Sequence, residues 1–169
     1  MQKVVLWFFM LTLAVYAGAQ QTVNFSDLPD VSTATPLPTG YHSLNWSGVL
    51  YVNPLKTTGV GMGFLHTSNI AGTDVGFGPG VCGSSGCYSS ISAKQGANFQ
   101  LVSATVSAGH SSGTLIVTAY NSGSYVGAQT YSLTTDTQTL SFPQQWGNVT
   151  EVVLQGSFVF YDVTVKINR

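Results

Sequence analysis

Alternation of apolar and polar side chains with a period of two dominates the second half of this chain. The clearest case is the last stretch, from Val159 to Ile167, where apolar side chains alternate with Asp162, Thr164 and Lys166. This is the period of a half-buried β-strand. A terminal strand must pair with strands from elsewhere in the chain, so we expect it to close the sheets that the upstream residues build.

Similar stretches recur from Phe99 onward, and turn residues separate them. Alternation runs from Phe99 to Ala108, from Thr114 to Tyr120 and from Tyr125 to Leu133. Upstream, we expect shorter strands at Thr22 to Leu28 and at Gly59 to Leu65. In the stretch from Gly59 to Leu65, the glycines indicate close approach by another part of the chain. Short strands at regular spacing predict an all-β, antiparallel β-sandwich.

The first residues read as a secretory signal peptide. Lys3 precedes an apolar run that starts at Val4, and small residues follow up to Ala19. At roughly 14 residues the run is shorter than the roughly 20 that a transmembrane helix needs. We therefore expect cleavage after Ala19, which leaves residues 20–169 as one domain of about 150 residues with no membrane span.

Charge and glycosylation motifs restrict the class of protein further. Charged residues make up only 7% of the sequence, and no basic patch is visible, which argues against nucleic acid as a partner. Three N-x-[ST] sequons indicate a secreted, extracellular glycoprotein, and we expect a monomer. The sequons start at Asn24, Asn45 and Asn148.

The two cysteines, Cys82 and Cys87, lie in the segment CGSSGC. In an oxidising compartment we expect them to form a disulfide, which would close one short loop and contribute roughly 2 kcal/mol. The alternative, a metal site, lacks two further ligands at a suitable spacing. A redox site would show the tighter C-x-x-C spacing.

Catalytic motifs are weak. Gly109 to Gly113 matches G-x-S-x-G, but a strand follows instead of a helix, and all three histidines precede Ser111, so the motif predicts a hairpin turn. A triad of His42, Asp74 and Ser111 has only residue type in its favour. No pair of carboxylates is marked out as a glycosidase pair. We expect a protein that is not an enzyme and that uses no cofactor.

Two kinds of binding site remain. A structural calcium ion would fit Asp27, at the end of the first strand, and Asp162, in the last strand, if these strands pair as they commonly do in jelly-roll sandwiches. Aromatic rings that lie among polar residues can stack on sugars. The chain has several such rings, more than one core is expected to bury. The ligand-binding candidates are Tyr41, Trp46, Tyr125 and Trp146; the tryptophans also suit the core, and Tyr125, close to a turn, suits exposure best.

The order of short motifs resembles a family of small secreted proteins that is frequent in fungi. The motifs are VNFSDL at Val23–Leu28, PTGY at Pro38–Tyr41, LNW at Leu44–Trp46, FQLVSA at Phe99–Ala104 and FYDVTV at Phe160–Val165. The resemblance implies a jelly-roll sandwich like galactose-binding domains and carbohydrate-binding modules, with no assigned activity. Asp27 and Asp162 match its acidic positions, whereas Gly78 and the cysteine loop depart from it.

These observations lead to a hypothesis about function. We expect a secreted, non-catalytic β-sandwich that binds polysaccharides or glycans of a cell wall or cell surface. The alternative is a structural or effector-like surface protein that contacts another protein, and a glycoside-active enzyme is third. A sugar site would show exposed rings among amides, whereas a protein contact would show a flatter apolar patch.

Overall fold

Two antiparallel sheets, of seven and five strands, make up the protein. The computed structural model describes residues 18–61, 63–65, 74–78 and 88–168. In these ranges helical structure is limited to 3₁₀ turns and one short helical turn at residues 63–65. The predicted fold class, an all-β antiparallel sandwich of the jelly-roll type, is therefore confirmed.

The strands follow one another with short connections over most of the described chain. They are β1 (Ala19–Asn24), β2 (Thr35–Pro36), β3 (Leu44–Ser47), β4 (Leu50–Val52), β5 (Val75–Phe77), β6 (Tyr88–Ala93), β7 (Asn98–Ser107), β8 (Gly113–Asn121), β9 (Ser124–Leu133), β10 (Gln138–Ser141), β11 (Glu151–Gln155) and β12 (Val159–Asn168).

The last strand, β12, lies inside the seven-stranded sheet. The strand order is β10-β7-β12-β5-β4-β2, and β1 also pairs with β12. On one side β12 pairs with β7 along its whole length, with two register shifts. On the other side it pairs first with β5 and then with β1, where Val23 lies opposite Val163. The prediction that the first and last strands pair is confirmed.

The five-stranded sheet has the order β3-β6-β11-β8-β9. Its centre is β11, which pairs with β6 on one side and with β8 on the other. Strands β8 and β9 form a hairpin whose turn residues Ser122 and Gly123 both have positive φ. That geometry matches the right-handed twist of the flanking strands.

The core lies between the two sheets and is built from the inward half of each alternating strand. In β8 the buried residues are Leu115, Val117 and Ala119, as the period of two predicts. Burying a large apolar side chain stabilises the fold by about 1.5–3 kcal/mol. The largest fully buried side chains include Trp146, Phe25, Phe99, Phe158 and Phe160.

The glycine-rich segment departs from its predicted strand. Residues 63–65 form a helical turn, and Met62 is outside the described residues. The reason is close packing on the turn after β7: a Cβ at Gly61 or Gly63 would overlap the backbone of residues 108–110. The Gly63 N–H also donates to the Gly109 carbonyl at 3.1 Å. The glycines therefore admit the chain's own backbone.

At the N-terminus, the first strand starts earlier than predicted. It begins at Ala19, directly at the predicted cleavage site, and ends at Asn24, where a 3₁₀ turn (Phe25–Asp27) follows. Most of the predicted signal peptide (1–17) and both cysteines, Cys82 and Cys87, lie outside the described residues. Within the described ranges we find no helix with the length and apolar character that a membrane crossing requires.

Replacing Trp146 with alanine should destabilise the fold strongly. The ring is 1% exposed and packs over Gly127, so its loss leaves a large cavity. We expect the free energy of unfolding to fall by about 3–5 kcal/mol in denaturant titrations. Leu55→Ala, at a side chain that is 59% exposed, is the control and should change it by less than about 0.5 kcal/mol. Equal, small effects would contradict this packing.

Candidate functional site

The solvent-facing side of the five-stranded sheet carries a mixture of tyrosines, amides and hydroxyls, and we call it the outer face. Buried residues such as Ile91 and Val117 alternate with its members, so the pleat directs the two sets to opposite sides. Its members are Asn45, Ser47, Tyr88, Ser90, Ser92, Thr114, Ile116, Thr118, Tyr120, Tyr125, Ala128, Thr130, Ser132, Glu151, Val153 and Gln155.

The pairing registers arrange the outer face in rows that cross the strands. One row has the order Asn45, Ser92, Glu151, Tyr120, Tyr125. At the usual spacing between strands this row is about 19 Å long. The next row contains Ser47, Ser90, Val153, Thr118 and Ala128, and a further row contains Tyr88, Gln155, Ile116 and Thr130.

Two tyrosines of the outer face are largely open to solvent. Tyr125 is 65% exposed and Tyr88 is 59% exposed. The ring of Tyr125 contacts that of Tyr120 edge to face, with centroids 6.3 Å apart. A register shift between Ala119 and Tyr120 places both rings on the same side of the sheet. The prediction that Tyr125 is exposed is confirmed.

Trp46 lies on the inward side of the edge strand β3, opposite Ile91 and between Asn45 and Ser47 of the outer face. Its ring is half-buried and packs against the core, and its Nε1 donates to the Tyr41 carbonyl at 3.1 Å. It also lines a recess of about 150 Å³ together with Leu37, Pro38, Thr39, Asn45 and Ser47. Since Asn45 and Ser47 belong to the outer face, the recess adjoins one end of the first two rows.

Tyr41 has a structural role that the sequence did not reveal. It lies in a tight turn in which Gly40, His42 and Ser43 all have positive φ. Its hydroxyl donates to the Asp27 carboxylate and lies 2.8 Å from the Asn24 carbonyl. Its ring stacks on the ring of Phe25 and meets that of His42 edge to face. The side chain therefore connects the turn to the end of β1.

Electrostatics around Tyr41 favour this arrangement. Burial, followed by the nearby Asp27 carboxylate, raises the pKa of Tyr41, so its hydroxyl stays protonated and can donate. For Asp27, burial acts to raise the pKa, but the hydrogen bonds from Tyr41 and His42 outweigh it and lower the pKa overall. His42 Nε2 lies 3.2 Å from Asp27 Oδ2.

Of the two alternatives for Trp146, the core position is confirmed and the ligand-binding role is wrong. The side chain is 1% exposed and fills the core, so its faces are not available to a sugar. It lies in a 3₁₀ turn (Gln144–Trp146) between the sheets, a position that period-two reasoning does not identify. The large apolar ring is buried for the ordinary reason that it removes much surface from water.

The two carboxylates predicted to share calcium each have their own partners. Asp27 is bound by Tyr41 and His42, and Asp162 Oδ1 accepts a hydrogen bond from the Thr105 N–H at 3.3 Å. Asp162 lies opposite Asn24 in the β1–β12 pair. Across the described ranges no three His, Cys, Asp or Glu side chains converge as a metal-binding group. The calcium site at this pair stays a prediction.

A different carboxylate, Asp74, has an unsatisfied oxygen. It directly precedes β5 and is 1% exposed, and its Oδ1 has no hydrogen-bond partner. Burial, assisted by the charge of Asp30, raises the pKa of Asp74 to about 6. A backbone hydrogen bond from Val31 and the positive charge of Lys56 act in the opposite direction. Asp74 lines a cavity of about 120 Å³ at the end of β1.

The three sequons differ in their surroundings. Asn24 and Asn148 are exposed, whereas Asn45 is half-buried and belongs to the outer face. Asn24 Oδ1 accepts a hydrogen bond from its own sequon residue, Ser26, at 2.8 Å. Thr150 Oγ1, in the third sequon, accepts from the Ser122 N–H at 2.8 Å. Glycosylation at these positions stays a prediction.

The hydrolase-like motif lies in a turn between strands. Residues 108–112 connect β7 to β8, which starts at Gly113. The predicted turn is present, but the predicted hairpin is wrong, because β7 belongs to the seven-stranded sheet and β8 to the five-stranded sheet, so the turn carries the chain from one sheet to the other. Ser111 is exposed at that turn, and the His42 ring is hydrogen-bonded to Asp27. The arrangement that G-x-S-x-G needs, a strand followed by a helix, does not occur at this turn.

Sequence reasoning missed Tyr88, and it named Asp74 only as a member of a catalytic triad. Tyr88 starts β6, and the alternation of Ser89, Ile91 and Ala93 with polar residues could have revealed that strand. Asp74 gave no comparable signal, because burial of a single aspartate beside a three-residue strand depends on distant parts of the chain.

The stability of the metal-free protein should fall as pH rises from about 4 to about 6. Asp74 has a raised pKa in the folded state, so folding favours its protonated form. The resulting stabilisation is complete below pH 3.8, the pKa in the unfolded chain. It is lost as the pH rises to about 6, the pKa in the folded protein. Asp27 and Asp30 have lowered pKa values, so their contribution to the pH dependence of stability lies below pH 3.8.

Asp74→Asn isolates this effect. The free energy of unfolding is measured by denaturant titration in the presence of EDTA at several pH values. For the wild type it should decline by about 1.4 kcal/mol for each unit by which folding raises the pKa of Asp74. The variant should show little change between pH 4 and 6. A parallel pH dependence in both proteins would contradict the assignment to Asp74.

Comparisons with known proteins support the fold and give no function. No family model matches the chain, and no curated protein matches it. Its structure is similar to the crystal structure of a DUF4465 family protein from Bacteroides caccae ATCC 43185, with a TM-score of 0.54 and 11% sequence identity. The likeness covers 95% of this chain and 97% of that chain, so it concerns the whole sandwich.

Proposed function

We propose that this protein is a secreted, glycosylated and non-catalytic β-sandwich that binds neutral polysaccharides of a cell wall or cell surface through its outer face. The observation that carries this proposal is the row that ends in Tyr120 and Tyr125, two rings in contact beside Glu151 and Ser92. Such rings stack on the apolar faces of sugars, while amide, hydroxyl and carboxylate groups bind sugar hydroxyls.

The charge of the outer face favours neutral glycans. Glu151 is the one charged side chain among its defined members, and none is basic. Sulfated or uronic acid chains need Lys or Arg partners, which this surface lacks. An open row of about 19 Å suits an extended chain better than a single sugar, which would need an enclosing pocket to bury most of its surface.

The other two hypotheses have less support. A contact with another protein would use a flatter apolar patch, whereas Val153 and Ile116 are half-buried and surrounded by hydroxyl and amide groups. A glycosidase needs two carboxylates that flank the bond, and the outer face has Glu151 alone. The resemblance to small secreted fungal proteins stays a prediction that agrees with a wall-binding role.

Removing the Tyr125 ring should weaken binding to insoluble glucan, chitin or cellulose. We expect Tyr125→Ala to raise the dissociation constant on the retained polysaccharide by about fivefold to tenfold, which corresponds to the loss of one stacked ring. Depletion binding isotherms measure this change. Tyr125→Trp should keep the affinity, because it keeps a flat aromatic face.

Leu55→Ala is the matched control, since it removes an exposed apolar side chain that does not belong to the outer face. It should leave retention unchanged. If the wild type is retained by none of the three polysaccharides, the proposal is wrong. If Leu55→Ala and Tyr125→Ala weaken retention equally, binding occurs but the outer face is not the site.

A further inference from the structure

The cavity at the end of β1 combines a buried, unpartnered carboxylate oxygen with a lining that has no cationic side chain. It has a volume of about 120 Å³ and is lined by Asn24, Phe25, Ser26, Asp74 and Tyr161. Asp74 is 1% exposed, and its Oδ1 has no hydrogen-bond partner. The Val31 backbone donates a hydrogen bond to the Asp74 carboxylate, but a buried carboxylate oxygen without a donor of its own is costly, so Oδ1 needs a proton donor or a cation.

The surrounding donors are already engaged with other groups. The Lys56 ammonium binds Asp30, and the Asn53 amide donates to the same carboxylate at 2.8 Å. Ser26 Oγ donates to Asn24 Oδ1, and the Tyr41 hydroxyl donates to Asp27. None of these contacts supplies a donor to Asp74 Oδ1.

The charges that act on Asp74 from outside the cavity have both signs. The Asp30 carboxylate raises the pKa of Asp74, whereas the Lys56 ammonium, which is paired with Asp30, lowers it. Among the lining residues, Asp74 is the one with a charged side chain. An anionic cavity with oxygen-bearing residues around it suits a hard cation, which binds carboxylate, carbonyl and water oxygens.

The geometry of β5 explains why this cavity exists. Gly76 allows the Phe25 ring to lie against the strand, because a Cβ there would be 2.6 Å from the ring. The ring thereby covers the chain just after Asp74 and contributes to the cavity wall. Since β5 pairs with one end of β12 and β1 with the other, the cavity lies where three strands meet.

We propose that this cavity binds a calcium ion, with Asp74 as its carboxylate ligand and with the remaining coordination supplied by oxygen atoms of the lining and by water. The volume exceeds that of a bare ion, which leaves room for coordinated water. The proposal differs from a site shared by Asp27 and Asp162, and it does not depend on glycan binding.

The test is the effect of calcium on thermal unfolding of the full secreted chain at neutral pH. After removal of metal with EDTA, Ca²⁺ alone should raise Tm by about 5 °C or more at roughly 100 times its dissociation constant. Asp74→Asn should abolish the shift and keep the wild-type circular dichroism spectrum. Asp27→Asn and Asp162→Asn should retain it.

Terbium provides a second measurement that does not depend on the stability of a variant. Tb³⁺ bound in the cavity would be sensitised by Tyr161, which belongs to the lining, and Ca²⁺ should displace the Tb³⁺ and reduce the emission. Absence of any calcium-dependent shift and of sensitised emission overturns the proposal, because water or a proton then satisfies Asp74. A shift that Asp74→Asn keeps and Asp27→Asn or Asp162→Asn loses also overturns it.

Discussion

The structure depends on β12 being hydrogen-bonded on both of its sides. This strand holds β7 on one side and both β5 and β1 on the other. Val163 and Val165, at its centre, are fully buried, so the strand contributes to the core as well as to the sheet. With only 7% charged residues, the protein has few ion pairs to contribute, and burial together with backbone pairing must supply its stability. The pairs seen among the described residues, Lys56 with Asp30 and His42 with Asp27, are partly or largely exposed to solvent and add little.

The sequence predicted the parts of the fold in which local pattern and tertiary position agree. Strands β7, β8, β9 and β12 have nine or ten residues each, which is long enough for alternation to be visible. The glycine segment 59–65 alternated equally well, yet residues 63–65 form a helical turn, because Gly61 and Gly63 pack closely on the backbone of residues 108–110. Strands of two or three residues, such as β2 and β5, are too short to show a period. The strands beside them in the sheet determine how they pair.

For the candidate sites, exposure proved harder to predict than strand position. Tyr125 was identified because a turn precedes it, and turns are exposed. Trp146 also lies outside a strand, but its 3₁₀ turn points inward, and sequence pattern does not distinguish the two cases. The rows of the outer face depend on registers between strands that are far apart in the chain, such as Asn45 opposite Ser92 and Glu151 opposite Tyr120. Such registers are known only from the three-dimensional structure.

The pairing of β1 with β12 has a consequence for biosynthesis. Thr22 and Thr164, whose hydroxyls lie 3.0 Å apart, are separated by 142 positions in the chain. A ribosome delivers the first of these long before the second, so the seven-stranded sheet cannot be completed until translation is almost finished. During that interval the Asn24 sequon belongs to an unpaired segment, which is the state in which a glycosylating enzyme can reach it most easily.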